Sequence, residues 1–171
     1  MASLMENIIR ILNEENDEYT TLAALSTEKT PIIIKGDLDA LNAITGKEQE
    51  VVARIQKLEK ERIQATEDIA NVTNRSTEEL KLADLIAMMK GRPEQKALEA
   101  VHDKLKITMA NMTRVNEQNR ELLKNSLEMV QFEMNLLQSL KTAPETADYN
   151  SSAYANGTIM GSGTKRFDAK Q

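Results

Sequence analysis

Residues 98–140 read LEAVHDKLKITMANMTRVNEQNRELLKNSLEMVQFEMNLLQSL. Through this stretch Leu98, Val101, Leu105, Thr108, Met112, Val115, Asn119, Leu122, Ser126, Met129, Glu133, Leu136 and Leu140 alternate three and four residues apart without a slip. Sustained over roughly six heptads, that period is the mark of one long helix presenting a seam to helical neighbours. Pro93 suits the first turn of such a helix, where its missing N–H is not needed, so the helix is expected from Pro93 to about Lys141. At 1.5 Å per residue it would reach about 70 Å, more than a compact four-helix bundle of this mass needs.

The seam changes character along its length. It turns polar at Asn119, Ser126 and Glu133, while a second stripe, Leu123, Leu127, Val130, Met134 and Leu137, opens one residue away. The C-terminal half of the helix is therefore apolar over a wider arc than one seam requires. Either a three-helix core grips it from both sides, or the arc is a groove for the amphipathic helix of a partner. Met129 and Met134 suit the second use, because unbranched thioethers adapt to irregular surfaces.

Upstream, Leu4, Ile8, Ile11, Leu22 and Leu25 recur at helical spacing, widened by Met5, Leu12 and Tyr19, and define a long first helix. Pro31 is expected to kink or end it, with Gly36 as a natural stop. The isoleucines after Pro31 are read as helix rather than strand, since no partner strand is visible. Asp37 is a good N-cap for a short helical turn through Ile44, and Thr45 with Glu48 forms a T-x-x-E capping box ahead of a second long helix. Its seam is Val51, Ile55, Leu58, Arg62, Ala65, Ile69 and Val72, with Arg62 expected to lay its stem on the seam and keep its guanidinium in water. Ser76 with Glu79 opens a shorter helix carrying Leu80, Leu82, Leu85, Ile86 and Met89, which Gly91 should terminate. The expected fold is all-α: an elongated antiparallel bundle of three long helices and one short one over residues 1–141, followed by a flexible tail, residues 142–171. The tail is rich in Ala, Ser, Gly, Asn and Thr, with Tyr149, Tyr154 and Phe167 as scattered apolar points.

Composition narrows the function. The chain has 171 residues, 40% hydrophobic and 29% charged, with only 3% aromatic, a mix that favours helices and offers no aromatic platform for stacking bases. A net charge of -5 disfavours phosphate backbones and anionic membrane surfaces. With no cysteine there is neither a disulfide nor a thiolate metal site. No leader-like segment or apolar run of membrane-spanning length is present, so a cytoplasmic location is expected.

Catalytic chemistry is poorly supplied. His102 is the sole histidine, and Glu99 with His102 makes one E-x-x-H, whereas a di-iron bundle uses two. Gly161-Ser162-Gly163-Thr164-Lys165 lacks the spacing of a phosphate loop and its flanking strand and helix. No enzyme activity, cofactor or metal is expected.

Several stretches, taken in order, resemble the FlgN family of flagellar export chaperones: Leu12 to Leu25, Lys35-Gly36-Asp37-Leu38 to Leu41, Thr45 to Gln49, Leu58-Glu59-Lys60-Glu61-Arg62, and Asn116 to Leu127. They cover most of the helical region. The resemblance implies an antiparallel helical protein that binds the C-terminal region of the hook-associated proteins FlgK and FlgL, keeps them soluble, and hands them to the export gate protein FlhA. It places client contacts on the last helix, at Leu122, Leu123, Leu127, Val130, Met134 and Leu137. It makes Tyr149 and Tyr154 the tail positions for docking to the gate, with Phe167 a further contact point in the tail. The competing reading is a structural coiled-coil or adaptor protein whose wide apolar arc is a homodimer seam.

Overall fold

The computed structural model describes residues 2–142, and these are almost entirely helical, with no strand among them. Helix α1 spans Ala2–Lys35, α2 Leu38–Thr73, α3 Leu82–Met88 and α4 Pro93–Thr142, with a single 3-10 turn at Thr77–Glu79 before α3. The chain is an all-α helical bundle. It divides into two compact units, Met1–Gln131 and Phe132–Gln171. The first holds α1, α2, α3 and most of α4.

Helix α1 continues through Pro31 to Lys35 rather than ending at the proline. Pro31 and Thr27, whose carbonyl loses its intrahelical donor, are both exposed, and burial of Ile33 two residues beyond Pro31 ties the last turn to the bundle. The helix stops where Gly36 takes φ +68°. Gly36 N–H donates to Ile33 O at 3.1 Å and Asp37 N–H to Ile32 O at 3.4 Å, the paired bonds of a Schellman ending.

Asp37 then caps the whole of α2, its Oδ1 accepting from Ala40 N–H at 3.0 Å. The separate start expected at Thr45 is not made. The amides there already belong to a running helix, and Glu48 turns to α1, taking Lys29 Nζ at 2.7 Å and Ser26 Oγ at 3.3 Å. Further along the pair, Glu18 accepts from Arg54 Nε at 2.8 Å and Glu15 from Arg62 Nε at 3.0 Å. Partners that descend α1 while ascending α2 make the two helices antiparallel. The seam of α2 buries Val51, Ile55, Leu58, Ala65 and Ile69 as expected, but Val72 is exposed. Arg62 keeps part of its side chain exposed as expected, but its guanidinium also holds the buried Glu15.

Ser76 Oγ accepts from Glu78 N–H at 3.4 Å and opens only the 3-10 turn. Helix α3 starts at Leu82, where Lys81 N–H donates to Asp84 Oδ2 at 3.0 Å, and the chain reverses at Gly91 with φ +82°. Leu80, Leu85 and Met89 join Met5, Ile8, Ile11 and Leu12 of α1, Ala65, Ile69 and Ala70 of α2, and Leu98 and Val101 of α4 in one core. Burying each large aliphatic side chain there contributes about 1.5 to 3 kcal/mol.

Helix α4 runs parallel to α1, as its polar seam residues record. Thr108 Oγ1 donates to Asn16 Oδ1 at 2.9 Å. Eleven residues on, Asn119 Nδ2 donates to Ser26 O at 2.6 Å and its Oδ1 accepts from Thr30 Oγ1 at 2.7 Å. A buried, satisfied asparagine on a seam fixes register, because any slip leaves its amide unpaired in an apolar layer.

Candidate functional site

The seam of α4 is buried at Leu98, Val101 and Val115, partly buried at Leu105, Met112 and Leu122, and exposed from Ser126 onward. The reason is register. With Asn119 opposite Thr30, the α1 terminus at Lys35 lies level with the turn of α4 near Lys124, and the apolar pattern of α4 continues past it.

Within the first unit, Leu122 and Leu123 are partly buried, whereas Leu127 is 70% and Val130 52% exposed. Leu123 and Leu127 line an open-sided groove of about 650 Å³ whose other apolar walls are Leu22 of α1 and Val52 of α2. Its floor is the satisfied polar layer of Ser26 and Asn119, and its rim carries Lys29, Glu48, Arg120, Lys124 and Glu128. Lys29 and Glu48 neutralise each other at 2.7 Å with both side chains largely shielded. Arg120 has no carboxylate partner among the described residues, and Lys124 reaches Glu128 only at 4.0 Å with both side chains exposed.

In the second unit, α4 exposes Met134 at 52% and Leu137 at 59%. Phe132, Leu136 and Leu140 are exposed too, and so is Met129 in the first unit. Reading Leu136 and Leu140 as seam residues concealed this from sequence, since period alone does not distinguish an exposed seam position from a buried one. Leu22 and Val52 were likewise missed as groove residues.

The tail positions Tyr149, Tyr154 and Phe167 lie outside the described residues, as does Gly161-Ser162-Gly163-Thr164-Lys165. Glu99 accepts from Gln95 Nε2 at 2.8 Å, and His102 Nδ1 sits 3.3 Å from Asp103 Oδ1. Among the described residues no cluster of three or more His, Asp or Glu side chains is arranged to hold a metal ion, and no helix is long and apolar enough to cross a membrane.

The chain is similar to a protein described as "Uncharacterized protein YvyG" of Bacillus subtilis (strain 168), with 27% identity over 150 residues that cover 87% of this chain and 88% of the relative. No solved structure matches it. The family model described as FlgN protein matches residues 1–156, all but the last part of the chain. The chain therefore belongs to the FlgN family, a family of flagellar export chaperones and not a family of enzymes, and has that general chaperone role.

Proposed function

We propose that the chain is a cytoplasmic chaperone that binds the C-terminal helical region of the hook-associated proteins FlgK and FlgL and delivers them to the export gate protein FlhA. Client contacts are assigned to Leu122, Leu123, Leu127, Val130, Met134 and Leu137. The observation that carries this reading is the exposed apolar side chains on α4, from Leu127 at 70% to Leu137 at 59%, on a helix whose earlier seam is buried. Apolar surface at such density is used for partners.

A client's terminal helix that lays its apolar face there is hidden from other copies of the client, which suppresses premature assembly. Ordering that helix on binding subtracts from the affinity, so release at the gate needs no nucleotide. Tyr149, Tyr154 and Phe167 are assigned to gate docking, through weak contacts that break readily.

Co-purification with C-terminal segments of FlgK and FlgL, and with the cytoplasmic part of FlhA, tests both assignments. The full chain is expected to retain all three, and a chain lacking residues 143–171 to keep the clients and lose FlhA. If light scattering instead finds a stable homodimer that excludes the clients, the protein is an adaptor built on a dimer seam and the chaperone assignment is wrong.

A further inference from the structure

Besides the groove beside Leu127, the first unit contains a smaller cavity of about 270 Å³ near the other end of α1. The two are sections of one channel. On α1 the lining residues Ile8, Leu12, Glu15 and Tyr19 of the lower section are followed by Leu22, Ser26 and Lys29 of the upper, alternating four and three residues throughout. On α2, Arg62 and Thr66 below share a helical face with Glu48 and Val52 above. On α4, Leu105 and Met109 continue into Asn116, Arg120, Leu123 and Leu127 at the same period. The channel thus runs between α1, α2 and α4.

The two sections differ in what fills them. Leu80, Leu82 and Leu85, from the 3-10 turn's end and α3, line the lower section only. There a short helical segment of the chain supplies the fourth side of the bundle. In the upper section none of the described residues does, and Val52 is 39% exposed among them.

We infer that the partner's helix enters the bundle as its missing fourth helix, in line with α3, rather than lying on α4 alone. This rests on the docking reading proposed above and adds α1 and α2 to the contact surface. Along α4 the lining of the open section runs from Asn116 to Glu128, about 18 Å, room for about three helical turns. Leucine-bearing α3 shows the kind of side chain the channel accepts. Charge sets the orientation of the guest's faces. The α2 wall is neutral, because Lys29 satisfies Glu48, while the α4 wall carries two cations, Arg120 and Lys124, against the one carboxylate of Glu128, which Lys124 reaches only at 4.0 Å, and is net positive. The occupant is therefore an amphipathic helix with an aliphatic stripe flanked by acidic residues on its α4 side.

The test is titration of the full chain with the client's C-terminal helical segment, comparing Val52→Arg with Ile63→Arg. Ile63 is an apolar residue of α2 that is 49% exposed and outside the channel. V52R is expected to weaken binding at least about tenfold and I63R less than about twofold. Arg120→Glu is expected to weaken binding and to be rescued by reversing an acidic client residue to lysine. Because the chain has no cysteine, Val52→Cys carries a sole attachment point for a photo-crosslinker, which is expected to capture the client even if V52R does not fold. If Leu127→Asp abolishes binding while V52R binds normally and V52C fails to crosslink, the fourth-helix inference is overturned and docking on α4 stands. If neither L127D nor V52R affects binding, the docking reading falls and this inference with it. Crosslinking from V52C to a second copy of the chain, or to its own residues 143–171, in place of the client also overturns it.

Discussion

Arg62 Nε donates to Glu15 Oε1 across 3.0 Å, joining a half-exposed cation on α2 to a carboxylate on α1 whose side chain is only 6% exposed. Burial pushes the Glu15 carboxyl above the ordinary range, and the guanidinium opposes that shift. The same burial raises the neighbouring Tyr19 hydroxyl, with the Glu15 charge adding to it. Removing Arg62 leaves a buried charge without its partner. Arg62→Leu is expected to destabilise the chain by about 2 kcal/mol at neutral pH, less than for a fully buried pair because the arginine is partly hydrated. Urea denaturation measures it.

The pH dependence of that variant has a definite sign. A carboxyl whose pKa is raised on folding binds its proton more readily in the folded state, so its contribution to stability improves as pH falls from neutral toward the unfolded value of about 4.3. Without Arg62 the Glu15 carboxyl rises further. The deficit of R62L should therefore shrink between neutral pH and about 4.5, whereas Glu15→Gln, which removes the charge, should show little of this dependence. A deficit that grows on acidification over that window contradicts the assignment.

Asn119 is the joint between α1 and α4. Asn119→Ala removes both bonds, leaving the Thr30 hydroxyl only its 3.3 Å contact with the Ser26 carbonyl, and is expected to cost about 2 kcal/mol, while Thr30→Val, which removes only one of these bonds, costs about 1 kcal/mol. Chemical denaturation of the two variants and of the double variant checks this, the double falling short of the sum because the groups share a bond.

The start of α2 discriminates two caps. Asp37→Ala is expected to lose about 1 kcal/mol, since it deprives Ala40 N–H of its acceptor. Thr45→Ala, inside a continuous helix, should change stability by less than about 0.5 kcal/mol. The reverse ranking in thermal melts would restore a break between residues 44 and 45.

Much of this architecture is written in the period of the apolar residues. Val51, Ile55, Leu58, Ala65 and Ile69 are a buried seam because that spacing leaves them on one face, and Gly36 and Gly91 mark reversals because each takes a positive φ. What period cannot convey is which neighbour answers each position. Arg62 has the same spacing whether it trails into water or holds Glu15. Thr45 and Glu48 spell a capping box that a helix already begun at Asp37 has no use for, and Pro31 reads as a terminus until Ile33 is seen to be buried beyond it. The candidate site suffered most from this. Leu136 and Leu140 satisfy the heptad as well as Leu98 does, yet both are exposed where Leu98 is buried.

The central claim is that exposed aliphatic residues on α4 hold the client, and the most direct test is the affinity of the Leu127→Asp, Val130→Asp, Met134→Asp variant for the client's C-terminal helical segment. These side chains are exposed, so helix content and thermal midpoint should be close to those of the parent. Binding is predicted to weaken by at least about a hundredfold, as expected when charges replace the apolar anchors of an interface. Undiminished affinity in a folded triple variant would contradict the account.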